Sequence, residues 1–170
     1  MKKVLIITYY WPPAGGPGVQ RWLKFVKYLP EFGIEPIVYC PENPKYPIMD
    51  TSMVSEVSSA LEVIQAPINE PYKLAQLLSR SKTSDLSKGI ITGQKKQTIT
   101  EKLLLFVRGN FFIPDARVSW VKPSFSLLSD YIKIHKVDTI ITTGPPHSLH
   151  LIGLKLKQTK TIKWITDFRD

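Results

Sequence analysis

Apolar residues cluster in short runs separated by stretches with helical spacing. Residues 3–9, KVLIITY, show little alternation, as a strand covered on both faces would. From Val19 to Leu29 the apolar positions 19, 22, 25, 26 and 29 follow a helical period, and Gly33 is a plausible stop. IEPIVYC then reads as a second strand and LEVIQAP (61–67) as a third, with the proline-rich loop PENPKYPIMDTS between them. Residues 71–78 suit a short helix, and the polar, basic stretch 79–98 is expected to be a mobile excursion. TEKLLLF opens a threonine-led helical turn, and KPSFSLLSDYIKIHK repeats at Phe125, Leu128 and Ile132. VDTIITTG (137–144) predicts a strand, PPHSLHLIGLKLKQ a helix, and TIKWITDF (161–168) the last strand.

Strands alternating with helices imply right-handed crossovers and a parallel sheet with both faces covered. The expected fold is therefore α/β, a Rossmann-like, doubly wound domain. Ligands in such sheets bind at the carboxyl ends of the strands. The chain stops at DFRD, at one such end, and is therefore expected to be a piece of a longer protein.

Composition narrows this picture only a little. With 170 residues, one domain is expected. The single cysteine, Cys40, excludes an internal disulfide; it reads as a buried strand end in a protein of a reducing cytoplasm. No apolar run has the length a membrane span needs. The formal charge of +9 favours anionic partners: phosphorylated metabolites or acidic lipid surfaces. Its lysines are not interleaved with stacking aromatics, which argues against nucleic acid.

Three strand ends carry unusual chemistry. The first is PPAGGPGVQR. Gly15 and Gly16 can take positive φ and let a ligand approach the backbone, while the following helix offers its N–H groups to an anion. Neither the dinucleotide fingerprint nor the P-loop pattern is present, and a tight structural turn remains the other reading. The second is TTGPPHSLH, where His147 falls at the start of a helix beside Ser148, a residue suited to capping or to touching a ligand. His150, one turn on, reads as packed or solvated. The third is TDFRD, where Asp167, Arg169 and Asp170 form either a charged group facing a cleft or an ordinary ion pair. A fourth element, FVRGNFFIPDARVSW, sets Arg108 beside Phe111 and Phe112. It suits contact with an anionic bilayer or, equally, a core helix followed by a loop that Asp115 and Arg117 lock. No spacing of histidines and cysteines suggests a protein-ligated metal.

Taken in order, YYWPPAGGPGVQRWLKFVKYLPEFG, FIPDARVSW, TTGPPHSLHLIGLKLK and WITDFRD resemble the amino-terminal domain of family 4 glycosyltransferases of the GT-B fold. The resemblance is to bacterial members that build surface polysaccharides, and residues 43–100 contribute little to it. It implies retaining transfer of a sugar from a nucleotide-sugar donor to a glycan or lipid-linked acceptor. It also implies that Gly15, Gly16 and Arg21 lie near the donor diphosphate and that His147 lies near the transferred sugar. Asp167 and Asp170 would border the acceptor, with Ser148 and Arg169 on the same side. The paired glutamates of that family belong to a carboxyl-terminal donor-binding domain that this sequence lacks, so the chain alone is expected to be inactive and to bind no cofactor by itself. Lipid-linked acceptors would place the enzyme in the cytoplasm, peripherally on the inner membrane face through Arg108, Phe111 and Phe112. The alternative is a stand-alone, non-catalytic module that binds a nucleotide, phosphate or membrane surface.

Overall fold

The computed structural model describes residues 1–69 and 113–169. The order of elements is β1 (Lys2–Thr8), α1 (Pro17–Tyr28), β2 (Ile34–Pro41), β3 (Glu62–Ala66), α2 (Val121–His135), β4 (Thr139–Thr143), α3 (Ser148–Thr159) and β5 (Lys163–Asp167). The five strands form one parallel sheet in the order β3-β2-β1-β4-β5. This is the expected α/β, Rossmann-like architecture. The expected short helix at 71–78, the excursion at 79–98, and Arg108, Phe111, Phe112 and Asp170 lie outside the described residues.

The pleat of β1 sorts its side chains between two cores. Leu5 and Ile7 face α2 and α3, packing with Leu128, Ile132, Leu149 and Ile152. Val4 and Ile6 face α1, packing with Val19, Trp22, Leu23 and Val26. Each fully buried aliphatic side chain contributes roughly 1.5–3 kcal/mol of transfer free energy. That burial explains why the strands lack polar alternation.

The first helix begins where the sequence stops being able to extend a strand. Gly16 is its N-cap with φ 113°, and Pro17 opens the helix, where a missing N–H costs nothing. A 3-10 turn over Leu29–Phe32 ends it, and Gly33 closes that turn at φ 72° in the left-handed region. Cys40 is buried, and desolvation pushes its thiol up to about 12, so it is an inert core residue. Tyr39 beside it is also raised to about 12, mainly by burial, while its hydroxyl donates to Ser124 at 2.8 Å.

Along the chain the sheet changes direction between β1 and β4, which are paired from Val4↔Thr139 to Thr8↔Thr143. A doubly wound sheet opens its crevice at this reversal. Two loops rich in proline and glycine leave the sheet there, one after β1 and one after β4.

Candidate functional site at the sheet reversal

The loop after β1 folds back on residues 48–50. Gly15 donates its N–H to the Ile48 carbonyl at 3.0 Å, and Asp50 donates to Pro13 at 2.8 Å. A β-carbon on Gly15 would stand 3.0 Å from Ile48 Cγ2 and 3.1 Å from Asp50 Cβ. Gly15 is thus required by packing and does not take the positive φ expected of it; only Gly16 in this loop does. Above Gly16 the space is open, with nothing within 4 Å of a β-carbon placed there. No side chain caps α1 and no acidic residue lies in its first turn, so its positive end faces that space uncompensated.

Gly18, not singled out by sequence reasoning, has a specific role. A β-carbon there would collide with the guanidinium of Arg169, whose terminal nitrogens lie across the start of α1. Arg169 Nε donates to the Gly144 carbonyl at 3.1 Å and lies 3.3 Å from Asp167 Oδ2. A cation and a helix N-terminus therefore converge over one backbone segment, the arrangement that favours a phosphate or diphosphate.

Asp167 ties this corner together. Its Oδ1 accepts from Arg21 Nη2 at 3.0 Å; its Oδ2 accepts from Thr143 Oγ1 at 2.9 Å and from Trp22 Nε1 at 3.2 Å. Trp22 Nε1 also donates to Thr143 Oγ1 at 2.8 Å. Within TDFRD, Asp167 and Arg169 form an ion pair. That carboxylate is held by two guanidinium groups and two further donors. Arg21 bonds Asp167 and lies over the Trp22 and Phe25 rings.

On the other side of the crevice, the loop after β4 runs through Pro145 and Pro146 into α3. Ser148 is 1% exposed. Its N–H and hydroxyl donate to the two oxygens of Asp115 at 2.8 and 2.9 Å, and Asp115 Oδ1 also accepts the Arg117 N–H at 2.8 Å. Asp115 is therefore the carboxylate that compensates the positive end of α3. The expected lock at Asp115 and Arg117 is present, and it extends to α3.

His147 is exposed, at the N-cap of α3. His150, one turn on, is buried, so the structure selects the packed reading for it. Burial, followed by the nearby His147, pushes the His150 imidazole below its ordinary value of 6.5, with Asp167 opposing. Phe168 lies over both rings, its centroid 4.1 Å from that of His150 and 6.0 Å from that of His147.

No group of three or more potential metal ligands occurs among the described residues. No helix among them is long and apolar enough to cross a membrane. No protein-family model matches the chain, and no curated protein or solved structure matches it. The fold and the corner at the sheet reversal define an α/β domain whose loops after β1 and β4 are joined by polar contacts through Asp167 and Arg169.

Proposed function

We propose that this chain is the acceptor-side domain of a retaining glycosyltransferase, one that moves a sugar from a nucleotide-sugar donor to a glycan or lipid-linked acceptor. The observation that carries this reading is the convergence of Arg169 and the uncapped start of α1 above Gly16 and Gly18, with exposed His147 across the crevice. Breaking a glycosidic bond to a nucleotide builds negative charge on the leaving diphosphate. Preorganised donors that meet that charge lower the barrier more than they stabilise the ground state. In this proposal the α1 N-terminus and Arg169 hold the diphosphate, and His147 touches the sugar. Asp167 holds Arg169 and Arg21 in place, a positioning role. The resemblance in sequence supplies the reaction class, and the donor nucleotide would be held chiefly by a carboxyl-terminal domain.

Turnover of a panel of UDP- and GDP-sugars by an enzyme carrying both domains tests this. Hydrolysis or transfer that collapses in His147→Ala is expected. Absence of turnover with every donor would move the reading to a non-catalytic phosphate-binding module.

Peripheral attachment to an anionic bilayer is part of the same proposal. Its support among the described residues is the outer face of α1, where exposed Phe25 and Tyr28 stand beside Lys27, while Arg21 and Lys24 on the same helix are paired with Asp167 and Glu56. Such a face suits an interfacial helix. Co-sedimentation with vesicles rich in anionic lipid should fall when Phe25 and Tyr28 are both replaced by Ala. Unchanged binding would remove this helix from the membrane contact.

A further inference from the structure

The loop after β4 leaves one polar atom stranded. His150 is 7% exposed, and its Nδ1 lies 2.8 Å from Thr142 Oγ1. That hydroxyl also accepts the Trp164 indole proton at 3.0 Å, and its two lone pairs let it meet either tautomer of the ring. Nε2, the ring's other nitrogen, is buried and has no hydrogen-bond partner. Buried polar atoms are satisfied in the great majority of cases, so an orphaned one calls for a partner.

The direction of that nitrogen gives it meaning. A β-carbon on Gly144 would stand 2.9 Å from His150 Nε2 and 2.9 Å from His147 Nδ1. Two ring nitrogens from successive turns of α3 therefore converge over one glycine, and a side chain at that position would push both away. Phe168, 65% exposed, is the ring that covers His150. The Gly144 carbonyl is held by Arg169, so the cationic groups and the imidazole pair flank the same residue. The notch offers hydrogen-bonding ring nitrogens beside an exposed aromatic face. This pairing suits a sugar ring, whose C–H face packs on the aromatic while its hydroxyls meet the nitrogens.

We propose that His150 is a sugar-contacting residue, its Nε2 hydrogen-bonding a ring hydroxyl of a hexose seated against His147 and Phe168. This rests on the glycosyltransferase reading and extends it to a residue and a covering ring. Phe168 must shift for the hydroxyl to arrive, and its exposure leaves it free to do so.

Two substitutions separate the nitrogens. His150→Asn puts an amide near the place of Nδ1 and keeps a partner for Thr142; His150→Gln puts an amide near the place of Nε2. Imidazole nitrogen resonances of the labelled enzyme carrying both domains would be followed during titration with methyl hexosides, UDP- and GDP-hexoses, and pyrophosphate. A hexoside or a sugar nucleotide should shift His150 Nε2, while pyrophosphate alone should shift only amides near Gly16 and serve as the check that each variant is folded. Affinity for the sugar should fall about tenfold in His150→Asn and stay within about threefold in His150→Gln. The reverse order would leave only the structural bond to Thr142 and overturn the inference. Sugar-nucleotide binding with Nε2 unmoved overturns the inference alone, whereas failure of every sugar and sugar nucleotide to bind overturns the glycosyltransferase reading with it. A shift with methyl hexosides would identify the acceptor sugar; a shift with nucleotide sugars only would identify the donor.

Discussion

In the loop after β1 the space above the backbone is open: a β-carbon on Gly16 would meet nothing within 4 Å. In the loop after β4 the corresponding space over Gly144 is filled by two imidazole nitrogens. Both loops use glycine and proline to leave the sheet at its reversal, yet they do so for different ends. The first presents backbone and a helix dipole, which suit charge. The second presents side chains, which suit a neutral polar group. Under the proposed function the first would be the wall that meets an anion and the second the wall that meets hydroxyls, joined through Arg169 and the Gly144 carbonyl.

The strongest way to break this contrast is Gly144→Ala. The added methyl should displace both histidines, and turnover by the two-domain enzyme should fall about 100-fold, as misplacement by about 1 Å commonly costs. Activity within about threefold of the parent would mean that neither ring position matters.

Next in size is Asp167→Ala, which strips the carboxylate from Arg21, Arg169, Thr143 and Trp22 together. A loss of about 2 kcal/mol in urea unfolding is expected, because the buried Thr143 hydroxyl loses its acceptor and two guanidinium groups lose their counter-charge, while Trp22 keeps Thr143 and Arg169 keeps Gly144. If the loss stayed below about 0.5 kcal/mol, the cluster would be no more than a solvated surface pair.

The two glycines of the first loop should then part company. Gly16→Ala, forced into φ 113°, should cost about 1 kcal/mol or more of stability. Gly18→Ala should leave stability within about 0.5 kcal/mol and weaken pyrophosphate binding by dislodging Arg169. Equal affinity for pyrophosphate in calorimetry would separate Arg169 from the anion wall.

The smallest expected effect is on pH dependence. His150 titrates below 6.5 in the folded chain, so between its folded and unfolded values the unfolded chain binds more protons. Its contribution is complete above about 6.5 and is lost as pH falls toward the folded value. The melting temperature should therefore decline on mild acidification, and His150→Asn should flatten that decline. An identical pH profile in the variant would assign the acid sensitivity elsewhere.

Apolar runs and helical spacing were enough to predict every described strand and long helix, because burial on both faces leaves so plain a pattern. The site was legible in part. Gly16 and His147 are marked by local context: a glycine before a helix and a histidine after a strand. What escaped depends on contacts distant in sequence. Nothing around Gly18 announces that Arg169 will cross it, and nothing around Ser148 announces that Asp115 will cap its helix. The signal for His150 was present in its three-residue spacing from His147, which puts both on one helix face. Composition alone could not show that this imidazole is packed, or that its Nε2 lacks a partner.

The hydrogen-bonded chain from Trp164 through Thr142 to His150 gives the domain a built-in optical reporter. Trp11, Trp22 and Trp120 are almost wholly buried, whereas Trp164 is only partly covered. Its indole N–H ends on the same hydroxyl that holds the His150 ring. Red-edge fluorescence should therefore follow occupancy of the histidine notch without any label, and loss of that response in Trp164→Phe would trace the signal to this one ring.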